Sequence, residues 1–162
     1  RHTEALEYYE KSLAIYREVL GERHPSTAAT YNNMANVFDA QGRHAEALEY
    51  YEKSLAIRRE VLGERHPDTA ASYNNMGEVL CAQGRHTEAL EYSEKSLAIM
   101  REVLGERHPS FGDTCYNMAI VFDAQGDSDR ASELFAAAHA AYRASYGPDH
   151  SKTLDAAEKM RS

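Results

Sequence analysis

The strongest constraint on this chain is a tandem repeat with a period of 42 residues. Segment 43–84 matches segment 1–42 at 34 positions and segment 85–126 at 28 positions. A decayed fourth copy follows and keeps Gly147 and His150 in register. Tandem copies at a period of about 20–50 residues are typical of stacked arrays, in which each copy buries its apolar face only against its neighbours.

Each copy contains two helical patterns, which we call helix A and helix B. In the middle copy, the spacing of Ala47, Leu48 and Tyr51 predicts a B helix that ends at Gly63. Pro67 suits the first turn of the A helix that follows. No strand pattern occurs, so the sequence predicts an all-α fold. In chain order, the predicted helices are Thr3–Leu20, Ser26–Ala40, His44–Leu62, Asp68–Ala82, His86–Leu104, Ser110–Ala124, Ser128–Tyr146 and Ser151–Met160.

The pattern of small and aromatic residues resembles the tetratricopeptide repeat, which has an aromatic, a leucine-like, a small and an aromatic residue in helix A and small, aromatic and small residues in helix B. The usual repeat has about 34 residues. The longer period here, with Asn-Asn in helix A, is similar to the repeats of kinesin light chain. The resemblance implies a right-handed superhelical solenoid of antiparallel helix pairs. The first full copy fills these places with Tyr31, Met34, Ala35, Phe38, Ala47, Tyr51 and Ser54.

We expect residues 1–162 to form a single array. Residues 1–20 would supply the B helix of a partial repeat, and full repeats in A–B order would span 21–62, 63–104 and 105–146. Residues 147–162 would form a C-terminal capping helix, because Arg161 stands where a small residue belongs and terminal repeats are atypical. The first helix has no A partner, so weak head-to-tail association is one possibility; we expect a monomer.

In tetratricopeptide arrays the A helices line a concave groove. These positions differ between the copies more than the outer helix face does. Such variation is expected if each repeat contacts a different part of a ligand, although drift after duplication would give a similar pattern. The resemblance places the groove stripe of this chain at Asn32, Asn36, Asp39, Asn74, Glu78, Cys81, Asp113, Tyr116, Ile120 and Asp123.

Asparagines recur in the A helices, where a helix interior does not favour them. An amide both donates and accepts hydrogen bonds, so a row of amides can hold the backbone of an extended peptide. We expect Asn32 and Asn74 to contact a ligand. For Asn33, Asn75 and Asn117 two interpretations stay open: a groove contact, or a bond to a neighbouring helix that sets the repeat spacing.

The groove stripe is acidic, with Asp39, Glu78, Asp113 and Asp123 and no Lys or Arg. Tetratricopeptide domains that clamp a C-terminal carboxylate carry basic residues there, so this chain does not resemble them. A neutral or basic peptide is the better match. The net charge of −8 argues against nucleic-acid and anionic-membrane partners. No apolar run approaches the ~20 residues of a membrane span.

Little in the sequence suggests catalysis. The recurring histidines stand alone, without the close ligand spacing that zinc needs, so we interpret them as connector and cap residues and expect no metal site. No phosphate-binding loop and no activated nucleophile is recognisable, so we expect no enzymatic activity and no cofactor. The four connector histidines are His24, His66, His108 and His150.

The two cysteines, Cys81 and Cys115, fall eight helix positions out of register, which separates them by roughly 12 Å along the helix axis. A disulfide needs Cα atoms within about 7 Å. Two unpaired thiols favour a reducing compartment, so we predict a cytoplasmic protein. The functional prediction is a non-catalytic protein-interaction scaffold that binds a peptide in its groove. The alternative is a structural spacer or self-association segment of a larger multidomain signalling or transport protein.

Overall fold

The computed structural model describes residues 2–160. Within this part of the chain every regular element is an α-helix, and each predicted helix is present with both ends within one residue of its predicted position. The predicted all-α fold is confirmed. The helices are α1 (His2–Val19), α2 (Pro25–Ala40), α3 (His44–Val61), α4 (Pro67–Ala82), α5 (His86–Val103), α6 (Pro109–Ala124), α7 (Ser128–Tyr146) and α8 (Ser151–Lys159).

Histidines cap the A helices. His66 lies before α4 with extended backbone angles, and its Nδ1 accepts a hydrogen bond from the backbone N–H of Asp68 at 3.1 Å. Pro67 then occupies the first helical position, where no N–H is needed. The prediction that these histidines are cap residues is confirmed. The same bond is made before α2, α6 and α8 by His24, His108 and His150.

A left-handed glycine follows each long B helix. Gly63 has a φ of 95°, a conformation that an L side chain rarely adopts. Its N–H donates to the Arg58 carbonyl oxygen at 3.2 Å and so satisfies one of the free carbonyls at the end of α3. The connector can then turn sharply into the next A helix, which fixes the angle between successive repeats.

The helices pack in sequence as a stack. The most extensive contacts lie within the A–B pairs α2–α3, α4–α5 and α6–α7, and each B helix also packs against the A helix that follows it. Successive A helices touch directly where α4 meets α6. The core is therefore a ribbon that runs along the stack, with Met34 and Met76 each only 1% exposed. This is the arrangement of a solenoid.

The first helix differs from the other B helices. None of the residues of α1 is buried, and Tyr8, Ile15 and Val19 are 71%, 58% and 71% exposed. Part of the apolar side of α1 is therefore uncovered. At the other end, Lys152 and Glu158 are exposed on α8, whereas Lys159 is half-buried. The predicted role of Arg161 in the cap lies outside the described residues. Among residues 2–160 no helix is long and apolar enough to cross a membrane.

Candidate functional site

The A helices build a cleft on one side of the stack. Its volume is about 460 Å3, and it lies between α4, α6 and α8, with one residue from α7. We call it the central cleft. Its wall is mostly amide, carboxylate and phenol, which are groups that exchange hydrogen bonds. It is lined by Asn74, Asn75, Glu78, Asp113, Tyr116, Asn117, Tyr142, Lys152 and Asp155.

The structure brings together six of the residues predicted for the groove: Asn74, Asn75, Glu78, Asp113, Tyr116 and Asn117 all line the central cleft. A smaller cleft of about 210 Å3 between α4 and α6 contains Cys81 and Ile120. The remaining stripe residues line neither cleft.

Those remaining residues are engaged elsewhere or lie at the edge. Asn36 Oδ1 accepts a hydrogen bond from the Tyr51 hydroxyl. Asp39 Oδ1 lies 2.9 Å from His44 Nδ1. Asp123 is exposed near the end of α6. The register of the repeat does not by itself show which part of the predicted stripe forms a cleft.

Glu78 is the centre of the amide network. Its Oε1 accepts hydrogen bonds from Asn74 Nδ2 at 2.8 Å, within α4, and from Asn117 Nδ2 at 2.5 Å, across from α6. The Glu78 side chain is exposed to solvent, but the surrounding helices remove part of the hydration of its carboxylate. This partial desolvation raises the pKa of Glu78, against the two amide bonds, and the negative charges of Asp113 and Asp39 raise it further.

We expect Glu78→Gln to stabilise the fold at neutral pH. A folded-state pKa above the usual value of about 4.5 means that the ionised carboxylate opposes folding, and that this effect fades as the pH falls through the raised pKa. Glutamine keeps an oxygen acceptor for the two amides without the charge. Urea unfolding of both proteins at pH 7 and near pH 4.5 should show a positive difference in unfolding free energy that shrinks at the lower pH.

Comparing the two proteins at each pH cancels the other carboxylates, including Glu46, Glu64 and Glu88, whose pKa values are lowered by hydrogen bonds from Arg43, Tyr73 and Arg85 respectively. A variant that is less stable than the parent at pH 7, or a difference independent of pH, would contradict the prediction.

Amides also link successive repeats. Asn75 Nδ2 donates to Asn32 Oδ1 in the preceding repeat at 3.3 Å. Asn117, at the same repeat position as Asn75, donates from Nδ2 to Glu78 Oε1 in the repeat before it. These bonds favour the spacing role for Asn75 and Asn117, and they show that Asn32 also takes part in a contact between repeats. Asn33 is exposed, because α2 is the first A helix of the described chain. A ligand contact of Asn32 stays a prediction.

Asn74 is the amide with an unused acceptor. Its Nδ2 is bonded to Glu78, but its Oδ1 is buried with no hydrogen-bond partner among the described residues. An unsatisfied buried polar atom costs about 1–3 kcal/mol. The oxygen itself is shielded from solvent, so a ligand donor would reach it once the Asn74 side chain turns toward the cleft, and no hydrogen bond of that oxygen would be broken.

Three cleft residues were missed by the sequence analysis. Lys152 Nζ lies 2.6 Å from Asp113 Oδ1, and the Tyr142 hydroxyl donates to the same oxygen at 2.8 Å. Asp155 accepts a bond from the Tyr116 hydroxyl. The groove stripe itself holds no Lys or Arg, but α8 adds Lys152 to the cleft. The repeat itself carried the signal, because Asp155 follows Asp113 by one period.

The Tyr116 phenol of the cleft and the two thiols near it are protonated at neutral pH. Burial raises the pKa of Tyr116 to about 12, and its bond to Asp155 adds to this, so the phenol remains a donor at neutral pH. Burial also raises the pKa of the Cys115 thiol to about 12 and raises that of Cys81. Both thiols are free and neither has the lowered pKa of an activated nucleophile.

The chain is similar to a known protein family along most of its length and to one curated protein over a short segment. The tetratricopeptide repeat family matches this chain over residues 1–60, 40–81 and 68–144. Human tetratricopeptide repeat protein 19, mitochondrial, is 46% identical over 41 residues, which is 25% of this chain and 11% of the human protein. The chain therefore matches only about one repeat of that much longer relative.

Solved structures share the whole architecture. A putative kinesin light chain of Podospora anserina with nearly identical TPR-like repeats is 29% identical, with a TM-score of 0.79; the match covers 98% of this chain and 75% of that chain. BtubC (BKLC) of P. vanneervenii is 20% identical with a TM-score of 0.82, over 99% and 68% of the two chains, and supports the fold alone.

The N-terminal domain of stress-induced protein-1 from C. elegans is less alike, at 18% identity and a TM-score of 0.62 over 83% of this chain and 95% of that domain. The sequence-based identification is confirmed. The chain belongs to the tetratricopeptide repeat family, and its repeats are of the kinesin-light-chain-like kind.

Proposed function

We propose that this array binds a neutral or basic peptide segment of a partner protein in the central cleft. Tetratricopeptide repeats generally mediate protein–protein interaction and are generally non-catalytic, and the proposal narrows that role to one site. The observation that carries it is the cleft between α4, α6 and α8, which is lined by the amides of Asn74, Asn75 and Asn117 and in which the Asn74 oxygen has no hydrogen-bond partner among the described residues.

Amides suit a ligand whose sequence is not fixed. An extended peptide presents an N–H and a C=O at every residue, and a side-chain amide can meet both. The cleft is about 460 Å3, which is within the range of sites that enclose several ligand groups. The segment would lie across the A helices, and one of its backbone N–H groups would donate to Asn74 Oδ1 after that side chain turns toward the cleft.

The charges of the cleft select against acidic ligands. Glu78, Asp113 and Asp155 contribute three carboxylates, and Lys152 is already paired with Asp113. An incoming carboxylate would meet this net negative surface on a chain whose total charge is −8, whereas Lys or Arg side chains would be attracted.

One observation favours the alternative of a structural spacer. Asn32, Asn75 and Asn117 already form hydrogen bonds between repeats, and a purely structural array would use them in that way.

The monomeric state and the cytoplasmic location of the protein remain predictions. The name of the human relative describes it as mitochondrial, but the match to it covers only about one repeat.

The deciding experiment is binding of the purified chain to an unbiased peptide array, with Asn74→Ala as the test variant, because Asn74 lines the central cleft. Loss of one amide contact worth about 1 kcal/mol should weaken binding of the enriched peptides by about fivefold. Asn74→Ala should by itself cost little stability, because it also removes the unsatisfied oxygen.

The matched control is Glu52→Ala, Glu94→Ala, a pair one repeat apart on the exposed side of α3 and α5. It should retain full binding. If the parent enriches no peptides while the chain is folded, the groove is not a peptide site and the spacer function is favoured. Equal losses in the test and control variants would also count against the proposal.

A further inference from the structure

In the three full repeats, one position of the B helix holds a different residue each time. The residue of the A helix that faces it also differs in each of these repeats. In α3 and α7 the position holds a buried aromatic ring, and in α5 it holds a serine. The facing residue of the A helix is an amide in the first full repeat, a carboxylate in the second and an aliphatic side chain in the third. The three pairs are Tyr51 with Asn36, Ser93 with Glu78, and Phe135 with Ile120.

In the first pair the ring is held by its hydroxyl. Tyr51 is only 3% exposed, and its O–H donates to Asn36 Oδ1 on the groove side of α2. In the third pair the ring has no hydroxyl and its partner offers no acceptor: Phe135 is 2% exposed and packs with Ile120 and with the Tyr116 ring. Each A-helix residue therefore matches the tip of the ring beside it.

The middle pair has the acceptor without the ring. Ser93 leaves a cleft of about 210 Å3, which we call the Ser93 socket. Gly77 at its base replaces the alanine of the other repeats, Ala35 and Ala119, so the serine can tuck against α4 and keep the socket open. The socket is lined by Gly77, Glu78, Cys81, Ser93, Asn117, Ile120 and Val121.

Size and chemistry define what fits. A volume of about 210 Å3 is below the range of about 300–1,000 Å3 for small-molecule sites, and it equals roughly seven waters at about 30 Å3 each. It is therefore a space for one side chain. Val121 and Ile120 supply an apolar wall, and the Glu78 carboxylate supplies an acceptor at the repeat position that Asn36 occupies beside Tyr51.

We propose that the Ser93 socket receives a tyrosine side chain from the bound segment, with the ring in the place left by the missing aromatic residue and its hydroxyl donating to Glu78. The inference rests on the proposed peptide-binding function and adds a side-chain preference to it. A buried aromatic ring removes about 150–250 Å2 from water, which gives the socket a large share of the binding energy. Glu78 repels acidic side chains from the same place.

The test uses three heptapeptides of alternating glycine and lysine whose central residue is Tyr, Phe or Ala, and three proteins. The parent should bind the Tyr peptide about tenfold more tightly than the Ala peptide, with Phe between them. In Ser93→Tyr the protein's own ring fills the socket, so the three peptides should bind alike. Glu94→Tyr, which adds a ring at an exposed position of α5, should keep the preference.

A second measurement needs no peptide. If the socket admits a tyrosine ring, Ser93→Tyr should raise the melting temperature; a lower one would overturn the inference. So would a parent that binds the Tyr, Phe and Ala peptides equally, or a Tyr preference that persists in Ser93→Tyr. Those results would leave the proposed function standing. If the parent binds none of the peptides and none of the array, the proposed function fails and this inference fails with it.

Discussion

Gly77→Leu should lower the free energy of unfolding by about 1–3 kcal/mol, because it overpacks the contact between α4 and α5. A Cβ atom at Gly77 would lie 2.6 Å from Ser93 Oγ and 3.2 Å from the Ala89 carbonyl oxygen. The serine hydroxyl can rotate away, but the carbonyl belongs to the backbone of α5. Accommodating a leucine would therefore push the two helices apart, and the adjacent interfaces of the stack would lose contact as well.

The matched control is Gly77→Ala, which restores the residue found at this position in the other repeats, Ala35 and Ala119. Its methyl group meets the same two atoms, but alanine favours the helix by about 1 kcal/mol over glycine, so the net change should be small. Urea unfolding followed by circular dichroism measures both variants. A leucine variant as stable as the parent would mean that α4 and α5 do not approach each other at Gly77.

The fold was predictable because the residues that start and end each helix lie close together in the sequence and recur in every copy. Pro67 and Gly63 mark a helix start and a helix end in the sequence itself, and the register then transfers those marks to every copy. Gly77 stands at the small-residue place of helix A in the sequence, and the structure places Ser93 against it. Each helix was predicted from several similar copies, so its start and end could be compared between copies, which a domain without repeats does not allow.

The site was less predictable, because it depends on contacts between copies. Register placed Asn74 and Glu78 on the groove stripe, but which amide bonds which neighbour follows from side-chain conformations and inter-helix distances. Lys152 was missed because α8 was interpreted only as a cap, whereas its first turn closes one end of the central cleft. The Ser93 socket is a missing volume, and a sequence does not show whether neighbouring helices have closed over it.

Replacing three capping histidines together, His24→Ala, His66→Ala and His108→Ala, should cost about 3 kcal/mol of unfolding free energy. Each Nδ1 accepts a backbone N–H at 3.1 Å in the first turn of an A helix, and loss of an N cap typically costs about 1 kcal/mol. The three caps belong to different helices and share no partner, so their effects should add. His150 is left in place because its ring also stacks on Tyr146.

The triple His→Asn variant separates capping from every other role of these side chains. Asparagine is among the best N-cap residues, so this variant should recover most of the lost stability, although it lacks an imidazole. Urea unfolding at one fixed pH compares the three proteins. If the alanine and asparagine variants lose equal stability, the ring and not its acceptor nitrogen is what the connector needs. If asparagine rescues, the histidines recur because α2, α4 and α6 each need an acceptor at the residue before their first proline.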